Sequence, residues 1–186
     1  MFSFRTTSLT EQPDLVLRSG KIALLCNQSS WHPERGEYLI ETLHKKGVLK
    51  RVFIPEHGLF GELQDQVKLD EGSVYESMAP GCEFVSVYGS SEESLSVKRD
   101  KLEDLDALII DIQDVGARYY TYPVTIFNLF KVLKAESVNL PVYVIDRVNP
   151  MGRQIEGTML KEGYSSFIGE TGILHRHGLT LGELTN

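Results

Sequence analysis

The sequence predicts an α/β protein with a mostly parallel central sheet covered by helices on both faces. Three observations carry that reading. Short apolar runs alternate along the chain with segments of helical period, which is the pattern of parallel strands joined by crossover helices. The clearest run, Ala107-Leu108-Ile109-Ile110, has no polar alternation, so both its faces are covered, as in a central strand of a parallel sheet. The charged and amide residues that follow the runs gather at strand carboxyl ends, whereas chance placement would scatter them over both ends. In open α/β sheets ligands bind at that edge.

The elements follow in order. Residues 1–20 begin polar and then give a short helical lead-in at Asp14 to Leu17. Residues 21–26 form the first strand, which ends in Asn27, Gln28, Ser29 and Ser30, either site residues or ordinary loop chemistry. Residues 35–46 carry Leu39, Ile40 and Leu43 on one face of an amphipathic helix, stopped at Gly47. The second strand, residues 48–54, runs into Pro55, which ends the ladder and presents Glu56 and His57. Residues 62–80 show no convincing period and read as a long loop with room for one helical turn. Residues 84–88 make the third strand, and residues 94–104 a surface connector or small helix.

The fourth strand opens into Asp111, Asp114, Gly116, Arg118 and three tyrosines. A charge cannot stay unpaired inside the sandwich, so Asp111 belongs at the strand's carboxyl end. Pro123 suits the first turn of a helix over residues 123–135, apolar over a wide face. Residues 142–145 form the fifth strand, ending in Asp146, Arg147, Val148, Asn149 and Pro150. Beyond Met151 the pattern loosens to a short strand near Ile155 and a helix after Thr180, where Thr180 and Glu183 have capping-box spacing.

The bulk numbers bound what such a chain does. With 186 residues, 41% of them hydrophobic and 24% charged, one core and one domain spanning residues 1–186 are expected. Nineteen basic against twenty-six acidic side chains give a formal charge of −7, which repels phosphate backbones and argues against nucleic acid or an anionic membrane. No apolar run approaches a membrane span, and the start, MFSFRTTSLT, lacks the apolar core of a secretion signal, so the chain as given reads as unexported. Cys26 and Cys82 form no CxxC pair and read as free thiols.

Chemistry narrows by what is absent. No GxGxxG follows the first strand, and neither GxxxxGK[ST] nor GxSxG occurs, so no nucleotide cofactor, P-loop or nucleophile elbow is expected. His175 and His177 have the spacing that places two rings on one face of a strand, and with Glu56, His57, Asp111 or Asp146 they offer the parts of a metal site. No HExxH or cysteine cluster supports a metal, and histidines hydrogen-bonded in a turn are the plainer reading. Carboxylate chemistry remains, with Glu56, Asp111, Asp114 and Asp146 as acids, bases or acceptors of sugar hydroxyls.

The blocks themselves resemble a known family. Pro55-Glu56-His57-Gly58 with Gly61, the run from Asp111 through Tyr122, Asp146-Arg147-Val148-Asn149-Pro150, Glu156-Gly157 and the run from His177 through Leu184 are similar to the exo-β-N-acetylmuramidases, formerly classed as a conserved domain of unknown function. The resemblance implies a Rossmann-like three-layer sandwich, the amino-terminal half of a peptidoglycan glycosidase that releases N-acetylmuramic acid from non-reducing ends. Carried over by position, it implies Glu56 as general acid, Asp111 and Asp114 as further catalytic carboxylates, and His57, Arg118, Tyr120, Asp146, Arg147, Asn149 and His177 as substrate-binding. It implies no metal and no cofactor. An inactive sugar- or muropeptide-binding module and a metal-dependent hydrolase are the alternatives. The family's usual DRPNP is DRVNP here, so Val148 frees a φ angle that proline would fix. Family members are commonly exported and carry a carboxyl-terminal domain, with the cleft between the halves. The 186 residues alone are expected to fold, to show little muramidase activity, and to self-associate through an apolar patch.

Overall fold

A computed structural model describes residues 20–61, 74–88 and 97–186. In chain order the first elements are β1 (Ile22–Cys26), a 3-10 turn at Gln28–Ser30, β2 (Trp31–His32), β3 (Glu37–Tyr38), α1 (Leu39–Lys45) and β4 (Leu49–Ile54). Next come α2 (Val74–Met78), β5 (Glu83–Ser86), a 3-10 turn at Arg99–Lys101, β6 (Ala107–Asp111) and α3 (Tyr122–Ala135). The chain continues through β7 (Val142–Val144), β8 (Glu156–Met159), β9 (Leu174–Arg176) and α4 (Leu181–Thr185).

Five strands make one sheet in the order β5-β4-β1-β6-β7, and every neighbouring pair is parallel. This is the α/β architecture the apolar runs predict, because β1 and β6 are buried along their whole length. One face carries Ala23, Leu25, Phe53, Leu108 and Ile110, covered by Tyr122, Ile126, Leu129 and Leu133 of α3. The other carries Ile22, Leu24, Val52, Ile54 and Ile109, covered by Ile40 and Leu43 of α1 and by Tyr75. Each such side chain removed from water contributes on the order of 1.5–3 kcal/mol, which is what holds three layers together.

The order places the first and fourth strands of the sheet side by side. The chain winds outward from β1 through β4 to β5, then returns to β6 on the opposite flank, so the direction reverses between β1 and β6. That reversal opens a crevice at the carboxyl ends of the strands. Cys26 lies opposite Asp111 in the register, and Leu25 opposite Phe53, so the segments after β1, β4 and β6 leave the sheet along one edge.

Several sequence expectations are corrected. The helix expected over residues 35–46 starts at Leu39, because residues 31–38 close a small hairpin. There Arg35 N and Gly36 N both donate to His32 O, at 3.1 and 2.9 Å. The third strand ends at Ser86 rather than Tyr88, where Ser86 Oγ donates to Tyr88 O at 2.8 Å in a local turn. The loosely patterned stretch after Met151 contains an antiparallel pair, β8 with β9, of which only the first strand was expected. The long loop has one short helix, α2, and its residues 62–73 lie outside the described residues, as does the lead-in near Asp14. The helix after Thr180 forms with its capping box, Glu183 N donating to Thr180 Oγ1 at 3.2 Å and Thr180 N to Glu183 Oε2 at 2.8 Å. Cys26 and Cys82 are both free. Among the described residues no helix is long and apolar enough to cross a membrane.

One buried charge locks the far end of the sheet. Arg51 on β4 is 4% exposed, and its guanidinium is spent on Glu83, Asp104 and the Lys101 carbonyl. The bonds from Arg51 and Lys50 hold the Asp104 carboxyl down at about 2. A carboxyl depressed in the folded state stabilises the fold above its unfolded value of about 4, and that contribution disappears as pH falls through the folded value. Solvent at Asp104 screens the pair, so Asp104→Asn should cost about 1 kcal/mol at pH 7. Denaturant titrations at pH 7, 4 and 2 should show the two proteins converging at the lowest pH. A gap that stays constant across those pH values would assign the loss to something other than the ion pair.

Candidate active site

The polar residues at the carboxyl edge fall into two adjoining groups. The first centres on Asp111, the last residue of β6 and 3% exposed. Arg147, from the segment after β7, places Nη2 2.6 Å from Asp111 Oδ1 and donates to Ser29 O at 3.3 Å. The two opposite charges stand in direct contact at the end of the sheet. Burial pushes the Asp111 carboxyl above its usual range, with the positive charge of Arg147 pulling the other way. Arg147 Nη1 is also buried without an acceptor among the described residues. Ser29, which follows β1, joins this group through its carbonyl.

The second group centres on Asp114, also 3% exposed. Its Oδ2 accepts from Gly116 N at 2.7 Å and lies 3.0 Å from His177 Nε2. Leu179 N donates to His177 Nδ1 at 3.2 Å, which makes Nδ1 the acceptor and Nε2 the donor toward Asp114. Asp114 Oδ1 is buried without a hydrogen bond among the described residues. Glu56, two residues past β4, is 9% exposed, and among the described residues its carboxyl accepts no hydrogen bond. His57, next to it, is exposed and holds φ at 69°, a left-handed conformation that non-glycine residues rarely keep without a reason. Burial pushes the Tyr122 phenol above the usual tyrosine range, with the Asn27 amide pulling the other way and the charges of Glu56 and Asp114 adding to the rise.

Other residues singled out in the sequence shape the walls. Asn149 is 9% exposed, donates through Nδ2 to Leu179 O at 2.8 Å and accepts at Oδ1 from Met151 N at 2.8 Å. A Cβ on Gly116, whose φ is 89°, would stand 2.2 Å from Asn149 Oδ1, so the turn after Asp114 requires glycine for both backbone and space. Asp146 accepts from Thr180 Oγ1 at 2.7 Å and Gly182 N at 2.8 Å, and so caps α4. Arg118 donates to the carbonyls of Ile173 at 2.6 Å and Thr158 at 2.8 Å and meets His175 at 2.9 Å, tying the β8–β9 hairpin to the Asp114 turn. Tyr120 is 50% exposed on the same edge, near Tyr122.

The structure thus brings Glu56, Asp111, Asp114, Arg147, Asn149 and His177 to one edge, while Asp146 and Arg118 are engaged in holding loops. Sequence reasoning left Ser29, whose carbonyl accepts from Arg147, and Asn27 undecided. Asn27 follows β1 as Asp111 closes β6, and that equivalence of position was the available signal. Among the described residues no set of three or more His, Cys, Asp and Glu side chains is placed to hold a metal ion. A cavity of about 570 Å³ lies elsewhere, between α3, β7 and α4, lined by Phe127, Phe130, Val142, Ile173 and Leu184. Its walls are apolar and its one carboxylate, Glu170, is paired with Lys131, so it offers no acid–base chemistry.

Comparisons with known proteins agree on one set of relatives. The family model described as exo-beta-N-acetylmuramidase NamZ, N-terminal, matches residues 22–186. The peptidoglycan beta-N-acetylmuramidase NamZ of Bacillus subtilis is 38% identical over 140 residues, covering 74% of this chain and 32% of that protein. Two crystal structures of DUF1343 family proteins from Bacteroides fragilis superpose with TM-scores of 0.75 and 0.72, at 30% and 26% identity. Each covers 95% of this chain, which spans 42% and 43% of theirs. The chain therefore spans about a third to two fifths of the length of these relatives.

The Gly116 turn gives a direct test of how the site is held. Gly116→Ala meets both the positive φ and Asn149, and should cost roughly 1–3 kcal/mol, or about 3–10 °C in melting temperature. Calorimetry should show this loss. A melting temperature unchanged within 1 °C would mean that Asn149 does not pack as described.

Proposed function

The chain belongs to the exo-beta-N-acetylmuramidase NamZ family by its amino-terminal domain, and from that premise we propose that its carboxyl edge is the acid–base half of a glycosidase site acting on peptidoglycan-derived saccharides. The observation that carries the reading is that Glu56 and Asp114, two buried carboxylates on different segments, follow β4 and β6, the two strands that flank β1 in the parallel sheet. Glycosidic cleavage uses two carboxyl groups flanking one bond.

Roles follow from surroundings. Asp114 is fixed by a backbone N–H and by His177, so it stays in one orientation. Glu56 is free of such ties among the described residues, and a group that must deliver a proton to a leaving oxygen needs that freedom. We assign Glu56 as general acid, Asp114 as the oriented partner carboxylate, and Asp111 as the charge that fixes Arg147. Muramic acid differs from glucosamine by a lactyl carboxylate, and of the two candidate arginines Arg147 keeps about a third of its side chain exposed at this edge, whereas Arg118 is spent on carbonyls. Arg147 is therefore the recognition residue for that carboxylate. His57, Tyr120 and Asn149 shape the saccharide pocket, and exposed Trp31 supplies a flat apolar face on which a sugar can stack.

Single-turnover assays on a chromogenic β-N-acetylmuramide, with protein in excess, read even slow hydrolysis. Glu56→Gln should lower the rate about 100-fold or more while affinity stays within about threefold. Near-normal turnover by that variant would remove Glu56 from the acid role. Binding without any turnover by the unmutated chain would make it a saccharide-binding module. In the same assay Arg147→Met should erase the preference for the muramide over the N-acetylglucosaminide, and equal losses on both would make Arg147 architectural.

A further inference from the structure

Among the described residues the aromatic side chains Trp31, Tyr119, Tyr120 and Tyr164 stand exposed. Single exposed aromatics need no explanation. Trp31 and Tyr119 differ from the others because each rests on a second ring, Trp31 on Tyr38 with centroids 5.0 Å apart and Tyr119 on His175 at 5.6 Å. Both belong to segments that leave the sheet at its carboxyl edge, after β1 and after β6. Trp31 offers its face to one sugar ring, and Tyr119 is a second such face.

The imidazole behind Tyr119 is fixed in place. Thr158 N lies 3.0 Å from His175 Nδ1, and Arg118 Nη2 lies 2.9 Å from its Nε2. Gly157 makes room for that ring, since a Cβ there would overlap it. The backbone that carries Tyr119 is fixed as well. Ala117 pairs with Arg176, Arg118 N donates to His175 O at 2.9 Å, and His177 N donates to Gly116 O at 3.4 Å. Tyr119 therefore follows directly on a short ladder that runs from the Asp114 turn along β9.

One face of the Tyr119 ring meets His175 at an interplanar angle of 35°, and with 64% of the residue exposed the other face is open. An aromatic face already held in position loses little freedom when a ligand covers it, which is what stacking on the apolar face of a sugar requires. Tyr119 is five residues past Asp114, at most about 18 Å of extended chain. The left-handed Gly116 and the bond from Tyr120 N to Ala117 O at 3.2 Å shorten that span, so the ring stands beside the carboxylates.

We propose that Tyr119, backed by His175, is the stacking surface for a second sugar ring, so that the site takes a saccharide of at least two rings, one at the carboxylates and the next on Tyr119. This rests on the glycosidase reading of the edge and deepens it with a further binding residue.

Calorimetric titrations compare N-acetylmuramic acid with a disaccharide in which it is joined through sulfur to N-acetylglucosamine, a linkage that resists hydrolysis. The unmutated chain should bind the disaccharide about tenfold more tightly, the worth of one aromatic stack. Tyr119→Ser should erase that gain while affinity for the single sugar stays within twofold and the melting temperature within 2 °C. Tyr119→Phe keeps the ring and should keep the gain. Tyr164→Ser, at an exposed position with no ring behind it among the described residues, should change neither affinity. A gain below twofold in the unmutated chain, a full gain retained by Tyr119→Ser, or an equal loss for both ligands in that variant would overturn the proposal and leave the glycosidase reading in place. Failure of the unmutated chain to bind either ligand would overturn both.

Discussion

A carboxylate at the end of a strand that is buried on both faces must be charge-paired or neutral, and most of this edge follows from that constraint. Asp111 closes β6 directly beside Cys26 and is covered on every side. Its nearest compensation comes from Arg147, which belongs to the last strand's exit loop. The pair therefore draws the segment after β7 across the end of the sheet, over the segment after β1. Removing either partner would leave a buried charge alone, which costs several kcal/mol, so the two loops are not independent of each other.

Asp114 repeats the logic three residues later with a different partner. His177 arrives from the loop before α4, and the same loop is pinned by Asn149 and by Asp146. The segments after β6 and β7 and the loop before α4 are thus tied to carboxylates or amides at the edge. Glu56 stands beside these fixed groups, and among the described residues its carboxyl accepts no hydrogen bond.

Much of the fold was legible because continuous apolar runs such as residues 107–110 specify buried parallel strands, and because Pro123 and the Thr180–Glu183 box mark helix starts. The β8–β9 hairpin was only half legible. All four residues of β8 are exposed, so no alternation marks it, and it is held by bonds to Arg118 and His175 from elsewhere in the chain. The site was legible as a gathering of charges at strand ends, but not as pairs. Arg147 follows Asp146 in sequence, yet pairs with Asp111, while Asp146 caps a helix 36 residues on at Gly182. Of the three tyrosines after Asp114, Tyr122 is buried in the core while Tyr119 and Tyr120 are exposed, a split that their spacing alone did not mark.

The central claim is that saccharide binds at the carboxyl edge across β4, β1 and β6 rather than in the apolar cavity beside α3. A crystal structure of the chain soaked with N-acetylmuramic acid tests it most directly. The account predicts the sugar between Glu56 and Asp114, with its lactyl carboxylate within hydrogen-bond distance of Arg147. Sugar seated against Phe127 and Phe130, or at the edge with its carboxylate turned away from Arg147, would contradict it.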